Sequence, residues 1–239
     1  MKPLVCVHGF MGGSAQWDSI RPHLEDGFDL VTLDLPGFGK NHAMPCINRI
    51  EGFADWVIAA LKDKGIGQYD LLGHSMGGMI AQEVARRDAQ AVDRLVLYAT
   101  GAIGVVPGRF ETMAQSKARA IADGPRATAR RISATWFLHY EKAPAYPACA
   151  SLAELASLDA ILAGLDAMQA WSGQDRLRLI EQKTRVIWGE GDRTYNLDQI
   201  RLLWTEIPDA SLAVLPGCAH AAHMEKPRLF CDILQDALM

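Results

Sequence analysis

An α/β fold built on a mostly or wholly parallel sheet and interrupted by a helical block is what this sequence predicts. Three observations carry the prediction. Short apolar runs bounded by Gly, Asp or Pro alternate with longer stretches of helical periodicity through the first 100 residues. The strand signal then vanishes between residues 101 and 183 and resumes beyond them. Finally, the pattern G-x-S-x-G, as Gly73-His74-Ser75-Met76-Gly77, falls where a run of strand type gives way to a helical one.

Each element follows in order. Residues 4–7, 30–33, 70–72 and 94–98 are apolar on both faces, which suits parallel strands covered by helices on both sides. Between them Ile50, Phe53, Val57, Ala60 and Leu61 recur at helical spacing, and that pattern ends near Gly65. Residues 75–87 form a second helical stretch directly after a strand, so right-handed βαβ crossovers are implied. The Ala-rich block 101–183 carries helical patterns over 109–122, 126–140 and 152–171, punctuated by Pro107, Gly124-Pro125, Pro144 and Pro147. Strands are expected again at 185–188 and 211–215, with a helix over 197–206 between them and an amphipathic helix over 228–238 at the end. The organisation expected is a core of residues 1–100 and 184–239, with about six strands, and an inserted helical cap over 101–183.

Composition narrows the function classes. The 239 residues hold 24 Lys and Arg against 28 Asp and Glu, a net charge of −4. A chain of this size buries about 72 % of its unfolded surface, enough for a core without disulfide or metal staples. A pI near 6.0 argues against a dedicated nucleic-acid binder. Cys6, Cys46, Cys149, Cys218 and Cys231 are scattered and form neither a CxxC pair nor a zinc spacing, so a reduced cytoplasmic setting is expected, with no metal and no cofactor. No apolar run approaches the ~20 residues that span a bilayer, and the run at 3–7 is shorter than a signal h-region. The expected partner is a small-molecule substrate, with neither nucleic acid nor membrane; a homodimer is compatible with the reading.

The chemistry centres on Ser75. A sharp strand-to-helix turn there lifts the hydroxyl clear of the sheet and aims main-chain N–H groups at developing negative charge. Only small neighbours fit around such a turn, hence Gly73 and Gly77. A serine hydroxyl is a weak nucleophile without a base and a group that orients the base. In strand–turn–helix chemistry of this kind the acid and then the histidine follow on later loops. Gly189-Glu190-Gly191-Asp192 follows one expected strand, and Pro216-Gly217-Cys218-Ala219-His220 follows the next. Asp192 is preferred to Glu190 as the acid because Glu190 lies nearer the strand end, where a loop-capping role suits it. His220 is preferred to His223 as the base because His223 leads into the last helix, where it packs or caps. The loop His8-Gly9-Phe10-Met11-Gly12-Gly13 follows the first strand, so the N–H of Phe10, together with that of Met76, is the expected oxyanion hole. His8 itself reads as a brace for that loop.

These segments, HGFMGG, DLPGFGK at 34–40, GHSMGG, GEGD and GCAHAAHMEKP, resemble the α/β-hydrolase superfamily in content and order along essentially the whole chain. The resemblance implies a helical cap between the family's sixth and seventh strands, which matches residues 101–183. It also implies a hydrolase acting through Ser75, His220 and Asp192. Members commonly begin with a two-strand hairpin ahead of the HG strand. Here that strand starts at residue 4, so the hairpin is expected to be absent and the sheet to be wholly parallel and six-stranded. Within the superfamily the chain is most similar to small bacterial 3-oxoadipate enol-lactonases and meta-cleavage-product hydrolases. The HGF-x-G opening is also similar to 2-succinyl-6-hydroxy-2,4-cyclohexadiene-1-carboxylate synthases, which use the same triad for an elimination. Fold and triad do not choose among these. The expected activity is hydrolysis of a small carboxylic ester or lactone through an acyl-enzyme. A C–C bond hydrolase or a triad-driven lyase is the alternative, followed by a ligand sensor with residual turnover.

The cap is where a substrate pocket is sought. Its aromatics Trp136, Phe137, Tyr140 and Trp171 are candidates for lining it, Trp136 and Trp171 foremost. Residues 101–140 hold Arg109, Lys117, Arg119, Arg126, Arg130 and Arg131 against only Glu111 and Asp123. Arg126 and Arg130 share a helix face, and a cationic lid favours a carboxylate-bearing substrate. Solvated arginines on an amphipathic helix are the plainer reading of the same pattern.

Overall fold

The computed structural model describes residues 2–24, 27–109 and 111–239. Met1 and Phe110, which fall inside the N-terminal stretch and the helical pattern read above, lie outside the described residues.

Alternation along the strands sets up two cores. In β1 (Pro3–Val7) Leu4 and Cys6 face one way, and Val5 and Val7 the other. β2 (Asp29–Leu33) pairs on one side of β1. α1 (Ile50–Asp63) then crosses to β3 (Tyr69–His74), which pairs on the other side. α2 (Met76–Arg87) crosses to β4 (Val92–Tyr98). Beyond β4 the chain forms α3 (Met113–Ala134), α4 (Tyr146–Ala153) and α5 (Leu158–Ala170) before it returns as β5 (Lys183–Gly189). α6 (Leu197–Glu206), β6 (Ala210–Leu215), the single turn α7 (Ala222–Glu225) and α8 (Pro227–Leu238) complete it. The sheet order is β2-β1-β3-β4-β5-β6, every pair parallel, so the expected six-stranded parallel sheet is found.

Side chains from α1, α2 and α6, including Phe53, Val57, Ile80, Val84 and Leu203, cover the face carrying Val5, Leu71, Leu95 and Val186. Phe230, Cys231, Leu234 and Leu238 of α8 join Trp17 and Ile20 over the face carrying Leu4, Leu72, Val96 and Ile187. Burying both faces explains why these strands read as continuous apolar runs.

The block between β4 and β5 departs from its expected boundaries. α3 starts at Met113 because Thr112 and Gln115 form a capping box. It runs through Gly124-Pro125 as one kinked helix, since Gly124 takes φ 78° and absorbs the break, and it stops at Ala134 rather than near residue 140. The pattern at 152–171 is two elements, because Ser157 accepts from the Ala160 N–H at 3.1 Å and starts a new helix. α3 packs against α4 and α5. The two sides of the block meet where they leave the sheet. Ile103 and Ser172 form an antiparallel bridge, the Gly173 N–H donates to Ala102 at 2.8 Å, and the Gly104 N–H donates to Trp171 at 3.1 Å. No single helix among the described residues is long and apolar enough to cross a membrane.

Candidate active site

The nucleophile candidate occupies a strained joint. Ser75 alone separates β3 from α2, with φ 56° and ψ −121°, a conformation that costs a non-glycine residue about 1–3 kcal/mol. Its surroundings impose it. The Ser75 N–H donates to the Tyr98 carbonyl at 2.9 Å, and its own carbonyl accepts from the Gly78 N–H at 2.8 Å and from Thr100 Oγ1 at 2.7 Å. A Cβ on Gly77 would stand 2.4 Å from the Val7 carbonyl oxygen, so glycine is what lets α2 start against the end of β1.

Asp192 and His220 come together from the loops after β5 and β6. His220 Nδ1–H donates to Asp192 Oδ2 at 2.9 Å, with both side chains buried. Asp192 Oδ1 accepts the N–H groups of Thr194 at 2.7 Å and Tyr195 at 3.4 Å, which aims the carboxylate. Because Nδ1 carries the proton, Nε2 presents its lone pair to the cleft that Ser75 also lines. No hydrogen bond joins Ser75 Oγ to His220 among the described residues; such contacts commonly tighten only when substrate binds. The Tyr195 ring stacks on the His220 ring at 5.9 Å and 22°. Burial pushes the Tyr195 phenol up, and a hydrogen-bonding approach of Ser75 offsets part of that.

Hydrogen-bond partners assign the neighbouring imidazole tautomers. His74 meets the carbonyl of His220 through Nε2 at 3.1 Å, so Nε2 carries the proton, and Nδ1 accepts from Gln16 Nε2 at 3.2 Å. Tyr98 donates its hydroxyl to the same carbonyl at 2.8 Å. The Tyr98 oxygen then accepts from the His223 N–H at 3.2 Å and from His223 Nδ1–H at 3.1 Å, which leaves His223 Nε2 without a partner among the described residues. Burial lowers His223 to about 3 and drives His74 well below the ordinary histidine range, so both are neutral spacers around His220.

The loop after β1 completes the arrangement. His8 Nε2 accepts the Leu35 N–H at 2.9 Å, and Nδ1–H donates to the Gly9 carbonyl at 2.8 Å; burial lowers this imidazole to about 4. Asp34 accepts both the N–H and the hydroxyl of Ser14, at 2.9 and 2.7 Å. Burial would raise that carboxyl, but the Ser14 bonds together with the Lys40 N–H and His8 outweigh burial and hold it below the usual range. Among the described residues the N–H groups of Phe10 and Met76 have no protein partner. Two unpaired amides flanking a serine are suited to an oxyanion.

The cleft over Ser75 includes Phe10, Met11, Trp136, Leu152, Met224 and His220 in its wall. Of the residues expected near substrate, Trp136 lines that cleft, and Arg126, Arg130, Trp171, Phe137 and Tyr140 do not. Arg126 and Arg130 pair with Glu154 of α4 on an exposed face of the helical block. Their shared helix face carries this exposed pairing, and neither side chain lines the cleft over Ser75. Trp171 donates Nε1–H to the buried Glu83 at 3.0 Å, in a separate cleft with Arg86 and Arg176. It anchors the chain returning to the sheet to α2 and does not line the cleft over Ser75. Phe137 is buried against Tyr146, and Tyr140 lies under Arg193. Glu190 accepts from the Gly217 N–H at 3.0 Å and braces the loop that carries His220. Sequence reasoning did not pick out Gln16, Tyr98 or Tyr195, whose roles arise from contacts between distant elements and carry no local signal.

The chain matches the family described as alpha/beta hydrolase fold over residues 2–227. It is 29 % identical over 250 residues to a pimeloyl-[acyl-carrier protein] methyl ester esterase of Aromatoleum aromaticum, covering 98 % of this chain and 97 % of that one. It is 26 % identical over 261 residues to a 2-hydroxy-6-oxo-6-phenylhexa-2,4-dienoate hydrolase of Burkholderia cepacia, covering 99 % and 87 %. Among solved structures, the enol-lactonase from Burkholderia xenovorans LB400 superposes with a TM-score of 0.91 at 22 % identity, covering 100 % of this chain and 92 % of that one. At that identity the likeness speaks for the fold.

Proposed function

The chain belongs to the α/β-hydrolase fold family, and from that premise we propose that it is a serine hydrolase of small carboxylic esters or lactones. The observation that carries the reading is the buried His220–Asp192 bond at 2.9 Å, formed beside the strained Ser75 in one cleft. In the reaction read here, Ser75 Oγ attacks the substrate carbonyl carbon while His220 Nε2 takes the hydroxyl proton. The N–H groups of Phe10 and Met76 hold the tetrahedral oxyanion. His220 then returns the proton to the leaving alcohol, and water activated by the same nitrogen releases the acid. Asp192 keeps the tautomer that makes Nε2 the base.

The methyl ester esterase relative supports ester chemistry, and the cleft wall of Phe10, Met11, Trp136, Leu152 and Met224 supports a largely apolar acyl group. With Arg126 and Arg130 turned to Glu154, no substrate carboxylate is assigned to them. The Burkholderia cepacia relative favours a second reading, hydrolysis of a C–C bond with the same residues in the same roles. Residues 101–183 act in either case as a cap over the site. The five free cysteines support action in a reducing, cytoplasmic compartment.

Steady-state assays with p-nitrophenyl acetate and butyrate test the reading. Continuous turnover is expected, with kcat lowered on the order of 10⁵–10⁶-fold in Ser75→Ala. A single burst without turnover would support a ligand sensor instead, and ester turnover that survives Ser75→Ala would overturn the assignment.

A further inference from the structure

Just past α3, the cap segment Trp136-Phe137-Leu138 has left the helix and lies against the two loops that carry Asp192 and His220. Its peptide groups find their partners on those loops. Arg193, next to Asp192, donates Nη1 to the Phe137 carbonyl and Nη2 to the Leu138 carbonyl, both at 3.0 Å. Glu225, on the turn after His220, accepts the Leu138 N–H at 2.7 Å through Oε1 and the Ala219 N–H at 2.6 Å through Oε2. The Ala221 N–H donates to the Trp136 carbonyl at 2.9 Å. One segment is therefore fastened to both loops at once, and the loops themselves meet where the Gly191 N–H donates to Cys218 at 2.9 Å.

Two charged residues are committed to this seam. Among the described residues neither Arg193 nor Glu225 takes part in an ion pair; both spend their charge on peptide groups. The Arg193 guanidinium is further held over the Tyr140 ring at 4.4 Å. Charge-assisted bonds of this kind are stronger than neutral ones, and a bidentate fork adds direction. The seam also fixes Trp136, whose ring stands 6.2 Å from that of His220 in the wall of the cleft.

We propose that Arg193 and Glu225 are positioning residues that fasten the cap segment 136–138 across the acid-bearing and base-bearing loops. Seating the cap, holding Trp136 over the cleft and keeping Asp192 against His220 are then a single event. This rests on the hydrolase reading for its kinetic consequence, but its structural core does not depend on turnover. A cap that lifts to admit substrate must break or carry these bonds, so the base is fully supported only over a seated cap. Such coupling of closure to assembly of the site favours substrates whose acyl group fits under Trp136.

The test compares Arg193→Met, Arg193→Lys and Glu225→Gln with the unmodified protein, and uses Arg178→Met as a control for loss of a surface arginine. Proton NMR follows the downfield His220 Nδ1–H signal, identified by its loss in Asp192→Asn, and p-nitrophenyl butyrate hydrolysis gives kcat and KM. Arg193→Met is expected to broaden the downfield signal and to lower kcat/KM by up to about 100-fold, the scale on which a misplacement of about 1 Å acts. KM should rise as Trp136 loosens, and kcat should fall as the base does. Arg193→Lys should recover most of both effects, Glu225→Gln should fall between, and Arg178→Met should change nothing. A sharp downfield signal with unchanged kinetics in Arg193→Met overturns the proposal, as does a kinetic loss that only follows loss of folded protein. Signal changes as expected in a protein that hydrolyses no ester would sink the functional reading and leave the coupling standing.

Discussion

Tyr98 and His74 stack at 4.6 Å between ring centroids, and both donate to one oxygen, the main-chain carbonyl of His220. A carbonyl has two lone pairs, so the pair satisfies it completely and pins His220 at its own backbone. Tyr98 lies at the end of β4 and His74 at the end of β3, so the grip is built on the sheet rather than on a loop.

Tyr98→Phe is accordingly expected to cost about 1–3 kcal/mol, because the His223 N–H and Nδ1–H lose their acceptor in a dry site. The urea midpoint should fall, and kcat should fall with it while KM holds, since the cleft wall is untouched. An unchanged midpoint would show that the hydroxyl is not the hub described here.

The buried histidines predict acid sensitivity, and its sign can be worked out. Burial depresses His8 to about 4 and His223 to about 3, from an unfolded value of 6.5. As pH falls below 6.5 the unfolded chain therefore takes up protons first. The stability these groups confer is complete above pH 6.5 and is lost on descent through about 4 and then about 3, at about 1.4 kcal/mol per pH unit for each group. Glu83 and Asp34, whose carboxyls are held low, begin to lose their contribution only below their ordinary values of 4.5 and 3.8, so the interval between pH 6.5 and 5 is free of their effect. Urea midpoints at pH 7, 6 and 5 should decline, and NMR should show His8 still neutral at pH 5; titration of His8 near 6.5 would refute the account.

Much of the core was readable because its signals are local. Strand runs appear as apolar stretches, the α2 start as a Gly-Ser-Gly turn, and Asp192 and His220 as loop residues in a fixed order. What was not readable depends on distance. Arg126 and Arg130 look like a cationic lid until Glu154, from another helix, is brought beneath them. Trp171 looks like a pocket wall until Glu83 turns its indole N–H away. Ser157 and Thr112 were the exceptions, since their capping signals lie in the sequence and mark helix starts that apolar periodicity alone blurred.

Neutralising both cap arginines tests that lesson directly. Arg126→Met with Arg130→Met should leave kcat/KM for neutral and anionic esters unchanged, with stability altered by no more than about 1 kcal/mol, because both pairs are exposed on the arginine side. A selective loss on the anionic ester would restore the arginines to the substrate.

Glu83 should matter more than either arginine. It is 2 % exposed and joins Trp171 and Arg176 of the returning chain to Arg86 of α2. Removing one partner of a fully buried pair costs about 3–5 kcal/mol; because Arg86 and Arg176 are about a third exposed, about 2–3 kcal/mol is expected for Glu83→Ala. Hydrogen exchange should quicken at Gly104 and Gly173, the paired hinge amides. Equal protection in both proteins would place the anchor elsewhere.

That hinge has a consequence for how such proteins diversify. Because Ile103 and Ser172 are bridged, the intervening segment begins and ends at one point in space, the geometry that tolerates insertion and replacement. A recombined segment would leave the strand order intact, so substrate range could drift while the sheet stayed the same. The seam at Arg193 and Glu225 limits that freedom. A transplanted cap that does not offer the carbonyls and N–H which those two residues grip would sit on the fold without engaging its chemistry. Caps and acid–base loops of this kind should therefore be inherited together.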